Sequence, residues 1–217
     1  MLKIKEFTLG PVQTNTYLIA DARSGTAVVI DPTWDGKKIL AAAEAEGWRI
    51  SHLIYTHAHF DHIGGAAEIA KNSNPIPLVA LHRGDHELLK AGGGGNFFGF
   101  NIDPGPEPGI ELADQQILEL GELSIKVLFT PGHSPGHCAF YIAADSILFS
   151  GDLIFQGSVG RTDLPGGNFD TLIQSIHNQV FTLPDETRIL SGHGPETTVG
   201  WEKSNNPFVS QDSSWRL

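Results

Sequence analysis

Residues 55–65 read YTHAHFDHIGG, so that His57, His59, Asp61 and His62 fall within six positions directly after the apolar run HLIY. A packed core has no use for four such groups together, because each polar group buried there needs its own partner. An exposed turn could hold them, but nothing in such a turn favours histidine over serine or asparagine. The stretch reads as a site at the end of a strand, and the rest of the chain can be searched for its missing parts.

Three further stretches share the same form, an apolar strand running into a turn of small residues that carries a ligand-type side chain. They are VLFTPGHSPGH, ILFSGD and RILSGHGP, and they supply His133, Asp152 and His193. Glycine in such turns lets the backbone bring these groups toward a common point. Imidazole and carboxylate without thiolate suit zinc, iron(II) or manganese at a catalytic site rather than a closed structural zinc. Seven such side chains are too many for one tetrahedral ion and about right for two. In extended backbone His57 and His59 point the same way and can bind one ion. Asp61 and His62, adjacent at a helix start, diverge from that direction toward a second. His137, at the end of GHSPGH, reads as a support behind the site. Cys138 lies inside the apolar run HCAFYI and reads as a buried core thiol. His52, His82, His86 and His177 read as structural or surface residues, the last three on helices.

Composition limits the remaining possibilities. The chain has 217 residues, 40% of them apolar, and is long enough for ample core. Its formal charge of −11 argues against nucleic acid, whose phosphates it would repel. Bound cations would offset several of those carboxylates locally. A single cysteine excludes an internal disulfide and fits a reducing compartment. No apolar run is long enough for a bilayer, and MLKIKEFTLG lacks the features of a signal peptide. A cytoplasmic protein without a membrane partner is expected. The oligomeric state is not readable.

Local patterns predict strands at LKIKEFTL, TNTYLIA, TAVVIDP, SHLIYT and IPLVAL, then at QQILEL, LSIKVLFT, HCAFYIA, SILFSGD and TRILSG. Helices are predicted at WDGKKILAAAEAEGW, at DHIGGAAEIAKN with Asp61 as N-cap, at HRGDHELLKAG, at FDTLIQSIHNQV and at PETTVGWEKSN. Residues 92–109, rich in glycine and proline around Phe97, Phe98 and Phe100, read either as a surface loop or as a flap over a substrate. Strand-rich halves with helices between them predict an α/β arrangement in one domain, 1–217, with helices covering sheets and a site at strand ends.

At these residues the sequence resembles the metallo-β-lactamase superfamily over nearly its whole length. The signature HxHxDH stands as HAHFDH, and the later histidine, bridging aspartate and last histidine match His133, Asp152 and His193. The resemblance implies a four-layer αβ/βα sandwich with the metals at one edge between two mixed sheets. It implies one metal held by His57, His59 and His133, the other by Asp61, His62 and His193, with Asp152 bridging. An aspartate where lactam-hydrolysing members often carry cysteine argues against a β-lactamase. PVQTNTYLI, GHSPGH, GRTDLPGG and SGHGPETTVGWEKSNNPF make the chain look like short hydroxyacylglutathione hydrolases (glyoxalase II) without the helical glutathione-binding domain of longer ones.

The expected activity is hydrolysis of an S-2-hydroxyacylglutathione such as S-lactoylglutathione by a metal-bridging hydroxide, with Asp61 and Asp152 at the reacting centre. The partner is then a small-molecule thioester. Arg161 is the candidate for a substrate carboxylate, as a guanidinium matches that geometry, and Lys203 is a second. The rival reading is a persulfide dioxygenase, which also carries GRTD and would use a single iron at His57, His133 and Asp152. RNA-processing nucleases on the same fold are disfavoured by the acidic balance.

Overall fold

The alternating segments at the N-terminus and the short apolar runs after them form one sheet in the computed structural model, which describes residues 2–209. Its strands are β1 (Leu2–Leu9), β2 (Thr14–Asp21), β3 (Thr26–Ile30), β4 (Arg49–Ile54), β5 (Leu78–His82) and β6 (Ile110–Leu112), paired in that order. The first two pairings are antiparallel and the next three parallel. A second sheet takes β7 (Ile117–Leu120), β8 (Leu123–Phe129), β9 (Cys138–Ile142) and β10 (Ile147–Gly151) in antiparallel sequence. A small hairpin, β11 (Ile154–Phe155) and β12 (Ser158–Val159), follows. Strand β13 (Arg188–Ser191) then pairs parallel to β10, and β14 (Thr197–Thr198) closes that edge.

Three apolar clusters show why the sheets stack. Tyr17, Ile19 and Val28 of the first sheet meet Phe140, Phe149 and Leu190 of the second in a shared core. The opposite face of the first sheet, through Leu18, Val29 and Leu53, packs on Ile39, Ile63 and Ile69. These last three belong to α1 (Gly36–Ala45), α2 (Phe60–Ile63) and α3 (Ala66–Lys71). The outer face of the second sheet, through Tyr141 and Leu148, packs on Leu172 of α5 (Phe169–Ser175) and Val199 of α6 (Val199–Asn205). The result is helix, sheet, sheet, helix. Because β2 is covered on both faces it is buried along its whole length, and its sequence therefore carries less alternation than a half-exposed strand.

Several local expectations need correcting. Asp61 is not an N-cap: it is the second residue of α2, with His59 in the capping position. The predicted helix over DHIGGAAEIAKN breaks into α2 and α3 at Gly64–Gly65, where a Cβ on Gly65 would run into the Thr33 carbonyl. His52 lies within β4, as the predicted strand SHLIYT has it, whereas His82 is the last residue of β5 rather than helical. His86 does open a helix, α4 (His86–Lys90), and His177 continues the α5 coil in a wider turn. The tail stretch PETTVGWEKSN starts as β14 before turning into α6, and β6 and the β11–β12 hairpin had no sequence signal. Residues 92–98 form compact helical turns, with Gly93 and Gly94 left-handed.

Candidate metal centre

All the ligand-type side chains sit just past strand ends on one edge of the sandwich. The chain leaving β4 carries His57 and His59 and enters α2 with Asp61 and His62. His133 and His137 follow β8, Asp152 follows β10, and His193 follows β13. The sequence placed them apart; the stacking of the two sheets brings them together. One group is His57, His59 and His133, another is Asp61, His62 and His193, and Asp152 joins His57 and His62 in a third, each with its ligand atoms within 4.8 Å of one another.

Hydrogen bonding decides which ring nitrogen of His57, His62, His133 and His193 faces inward. His133 Nδ1 donates to the Arg161 carbonyl at 2.7 Å, leaving Nε2 3.1 Å from His57 Nε2 and 2.8 Å from His59 Nδ1. His57 Nδ1 lies 3.0 Å from the Thr56 hydroxyl, which itself donates to Asp31. His62 Nδ1 donates to Asp31 at 2.9 Å, so its Nε2 points at the cluster, 3.4 Å from Asp61 Oδ2 and 3.3 Å from Asp152 Oδ1. His193 Nε2 stands 3.3 Å from Asp61 and 3.5 Å from Asp152. The two spacings from His133 Nε2, 2.8 and 3.1 Å, are near the roughly 3.3 Å that a tetrahedral ion with bonds of about 2.0–2.1 Å imposes.

A second observation points the same way. His62 Nε2 and Asp152 Oδ1 are buried and have no hydrogen-bond partner, although they face each other. Buried orphans of this kind are costly, and a cation between them satisfies both. Charge state agrees. Burial and the neighbouring imidazoles hold His57 well below its ordinary range and His59 down at about 3. Burial would raise Asp61, but His62 and His193 outweigh it and hold the carboxyl at about 2. Neutral His57 and His59 and an ionised Asp61 are in forms that ligate metal, whereas the Asp61 and Asp152 carboxylates override burial and raise His62 and His193, whose rings must lose a proton to bind an ion. The donor set fits divalent metal.

His137 does not face the cluster. Its Nδ1 bonds the Thr130 hydroxyl at 2.9 Å and its Nε2 accepts the Asp152 backbone N–H at 3.2 Å, so it fixes the turn that presents Asp152. Arg161 contributes its carbonyl to His133, while its guanidinium is bound twice by Asp163 at 2.7 Å. Lys203 bonds Asp185 at 2.6 Å and is not part of the cavity wall beside the cluster. That cavity, of about 290 Å³, is lined on its open side by Val12, Phe60, Leu88, Phe97, Phe98 and Leu164.

Three supporting residues had no place in the sequence reading. Thr14 donates to Asp61 Oδ2 at 2.9 Å. Asp31, left-handed at φ 50°, accepts the Thr56 N–H and hydroxyl at 2.7 Å each as well as His62. Asp85 is buried against the His57–His59 turn. A signal for Asp31 existed: TAVVIDP is another apolar strand running into an aspartate, the same form as ILFSGD.

With this geometry in hand, the comparison with known proteins is direct. The model of the metallo-beta-lactamase superfamily matches residues 9–193. The chain belongs to the metallo-β-lactamase superfamily. Hydroxyacylglutathione hydrolase GloC of Haemophilus influenzae is 34% identical over 203 residues, which cover 93% of this chain and 95% of that protein. The crystal structure of TTHA1623 in a di-iron-bound form is 40% identical with a TM-score of 0.85, over 94% of this chain and 100% of that one. The BLEG-1 B3 metallo-beta-lactamase is 37% identical with a TM-score of 0.89, over 95% and 99% of the two chains. The chain is a metal-dependent hydrolase of that superfamily. Among the described residues no helix is long and apolar enough to cross a membrane.

Proposed function

We propose that the chain hydrolyses thioesters, with S-2-hydroxyacylglutathiones such as S-lactoylglutathione as the substrate class. In this reading two divalent ions of zinc, iron or manganese are held by His57, His59 and His133 and by Asp61, His62 and His193, with Asp152 shared. What supports the two-ion reading is that the orphaned His62 Nε2 and Asp152 Oδ1 call for a cation at the Asp61, His62 and His193 group, while His57, His59 and His133 form a separate ligand group. A single iron at His57, His133 and Asp152, as a persulfide dioxygenase would use it, leaves Asp61, His62 and His193 without a role.

Such ions lower the pKa of bound water toward neutrality and polarise a carbonyl. The chain's own residues do the rest. Asp61, fixed by the Thr14 hydroxyl, can accept a hydrogen bond from the attacking water and orient it. The Asp152 carboxylate is held in place through its backbone by His137. Phe60, Phe97 and Phe98 give the cavity an apolar wall. Apart from the ligand set, Arg161 is the one titratable side chain on the described wall. That supports a thioester over an amide: a thiolate whose parent thiol has a pKa of about 8.5 leaves without a strong acid, whereas an amine needs a proton. The relationship to GloC supports glutathione as the carrier, and Arg161, if it exchanges Asp163 for a substrate carboxylate, is the group to bind it.

The test is to load the metal-free protein with zinc, iron(II) and manganese in turn and follow S-lactoylglutathione. Hydrolysis that is lost in His59→Ala and Asp61→Ala supports the reading. Faster turnover of a β-lactam, or oxygen uptake with glutathione persulfide on the iron form and no thioester cleavage, replaces it.

A further inference from the structure

The turn Arg83–Asp85 between β5 and α4 contributes no ligand, yet it ends in an aspartate with no exposed surface. Asp85 accepts three hydrogen bonds, and all come from turns that carry the three-histidine group. The Ala58 N–H, between His57 and His59, donates at 3.0 Å. The hydroxyl of Ser134, next to His133, donates at 2.7 Å, and the Gly136 N–H at 2.6 Å. The first donor belongs to the loop leaving β4 of one sheet, the other two to the loop leaving β8 of the other sheet.

The approach is as close as backbone permits. A Cβ on Gly84 would stand 2.9 Å from Gly136 Cα, and one on Gly136 would stand 2.5 Å from the Asp85 nitrogen. The glycines of HRGD and SPGH are therefore what lets the carboxyl reach across. On the far side of the same two loops the Cys138 N–H donates to the Thr56 carbonyl at 2.7 Å. Removing the carboxyl would loosen this junction without dissolving it. No donor lies in the turn that carries His193, and Ala58 precedes α2, the helix that holds Asp61 and His62.

We propose that Asp85 is a positioning residue for one metal site only: it clamps the His57–His59 turn to the His133 turn and thereby sets the affinity of the three-histidine group for its ion. The inference rests on the metal-binding reading of that group but not on the thioester reading. Partners one bond removed from a ligand commonly change metal affinity by about 10- to 100-fold. A residue that merely stabilised the fold would weaken both ligand groups alike.

The experiment isolates each group. In a His193→Ala background, which leaves the three-histidine group whole, zinc affinity is measured by competition with a chromophoric chelator, with and without Asp85→Asn. In a His57→Ala background, which leaves Asp61, His62 and His193, the same pair is compared. The expected result is a loss of about 10- to 100-fold in the first background and a change under about threefold in the second. Equal losses in both, no loss in the first, or no zinc uptake at all by the His193→Ala protein would each overturn the proposal. Should Asp85→Asn not fold, Ser134→Ala removes one of the three donors and is expected to show a smaller loss in the first background alone; its failure to do so overturns the proposal equally.

Discussion

The inward nitrogen of His57, His62, His133 and His193 is selected by what the other nitrogen does. His133 and His62 present Nε2 because Nδ1 is committed to the Arg161 carbonyl and to Asp31, and His59 is turned the other way round with Nδ1 inward. A pH dependence follows from this arrangement. Burial alone would lower the pKa of His193, but the Asp61 and Asp152 carboxylates override it and raise the imidazole above its ordinary range. In the metal-free protein this favours the protonated ring, and an ion must expel that proton to bind. Zinc affinity measured by chelator competition is therefore expected to tighten from pH 6 to pH 8, and equal affinity at the two would contradict the charge assignment. Cys138 provides a second check. It is fully buried, and burial pushes its thiol well above the usual range. Since the thiolate is the reactive form, the folded protein should stay inert to a thiol reagent at pH 8 while the denatured chain reacts fully. Fast labelling of the folded protein would show that the thiol is accessible. At this scale the candidate ligands were legible because each comes with its own turn, as in HAHFDH or GHSPGH. Thr14 and Asp85 were not, since each acts on a residue 47 or 27 positions away, and the strand-end signal of Asp31 did not show that it reaches His62, 31 positions on.

The elements that matter most for the site are short ones. The turns of 92–98 are held against α2 by the ring of Phe60, whose centroid lies 5.3 Å from those of both Phe98 and Phe100. The sequence allowed a loop or a flap there because glycine and phenylalanine carry no period. What it could not show is that Gly93, at φ 65°, packs directly on the backbone of Ala58 and Phe60. Gly47, at φ 71°, is left-handed as well but has nothing within 4 Å of a Cβ. Alanine at either position bears the left-handed backbone cost of about 1–2 kcal/mol. Only Gly93→Ala must also displace the turn between His57 and His59, which carries two ligands. Thermal unfolding should show the larger drop in melting temperature for Gly93→Ala, accompanied by weaker metal retention. Equal drops would mean the 92–98 turns are not coupled to the ligand turn. The broken helix at Gly64–Gly65 was missed for a related reason: the spacing of apolar residues runs on through it, and the obstacle is a carbonyl from Thr33.

Across the whole molecule, one packing decision makes the site. The two sheets share the core around Tyr17, Ile19, Phe140 and Phe149, and this stacking sets the loop after β4 opposite the loops after β8, β10 and β13. The strand runs and the α/β class were legible because periodicity and turn residues are local signals. The order of strands in the second sheet, with β13 beside β10, was not, because it depends on a crossover through α5. The acidic balance of −11 also becomes intelligible at this scale: Asp61, Asp152 and Asp31 converge on one edge, where cations would offset them. We propose a thioester hydrolase that needs two ions. The most direct test is to add zinc in steps to the metal-free chain and follow S-lactoylglutathione hydrolysis at each step. The account predicts activity that rises to a plateau at two equivalents per chain, whereas a plateau at one equivalent, or no hydrolysis at any, would contradict it.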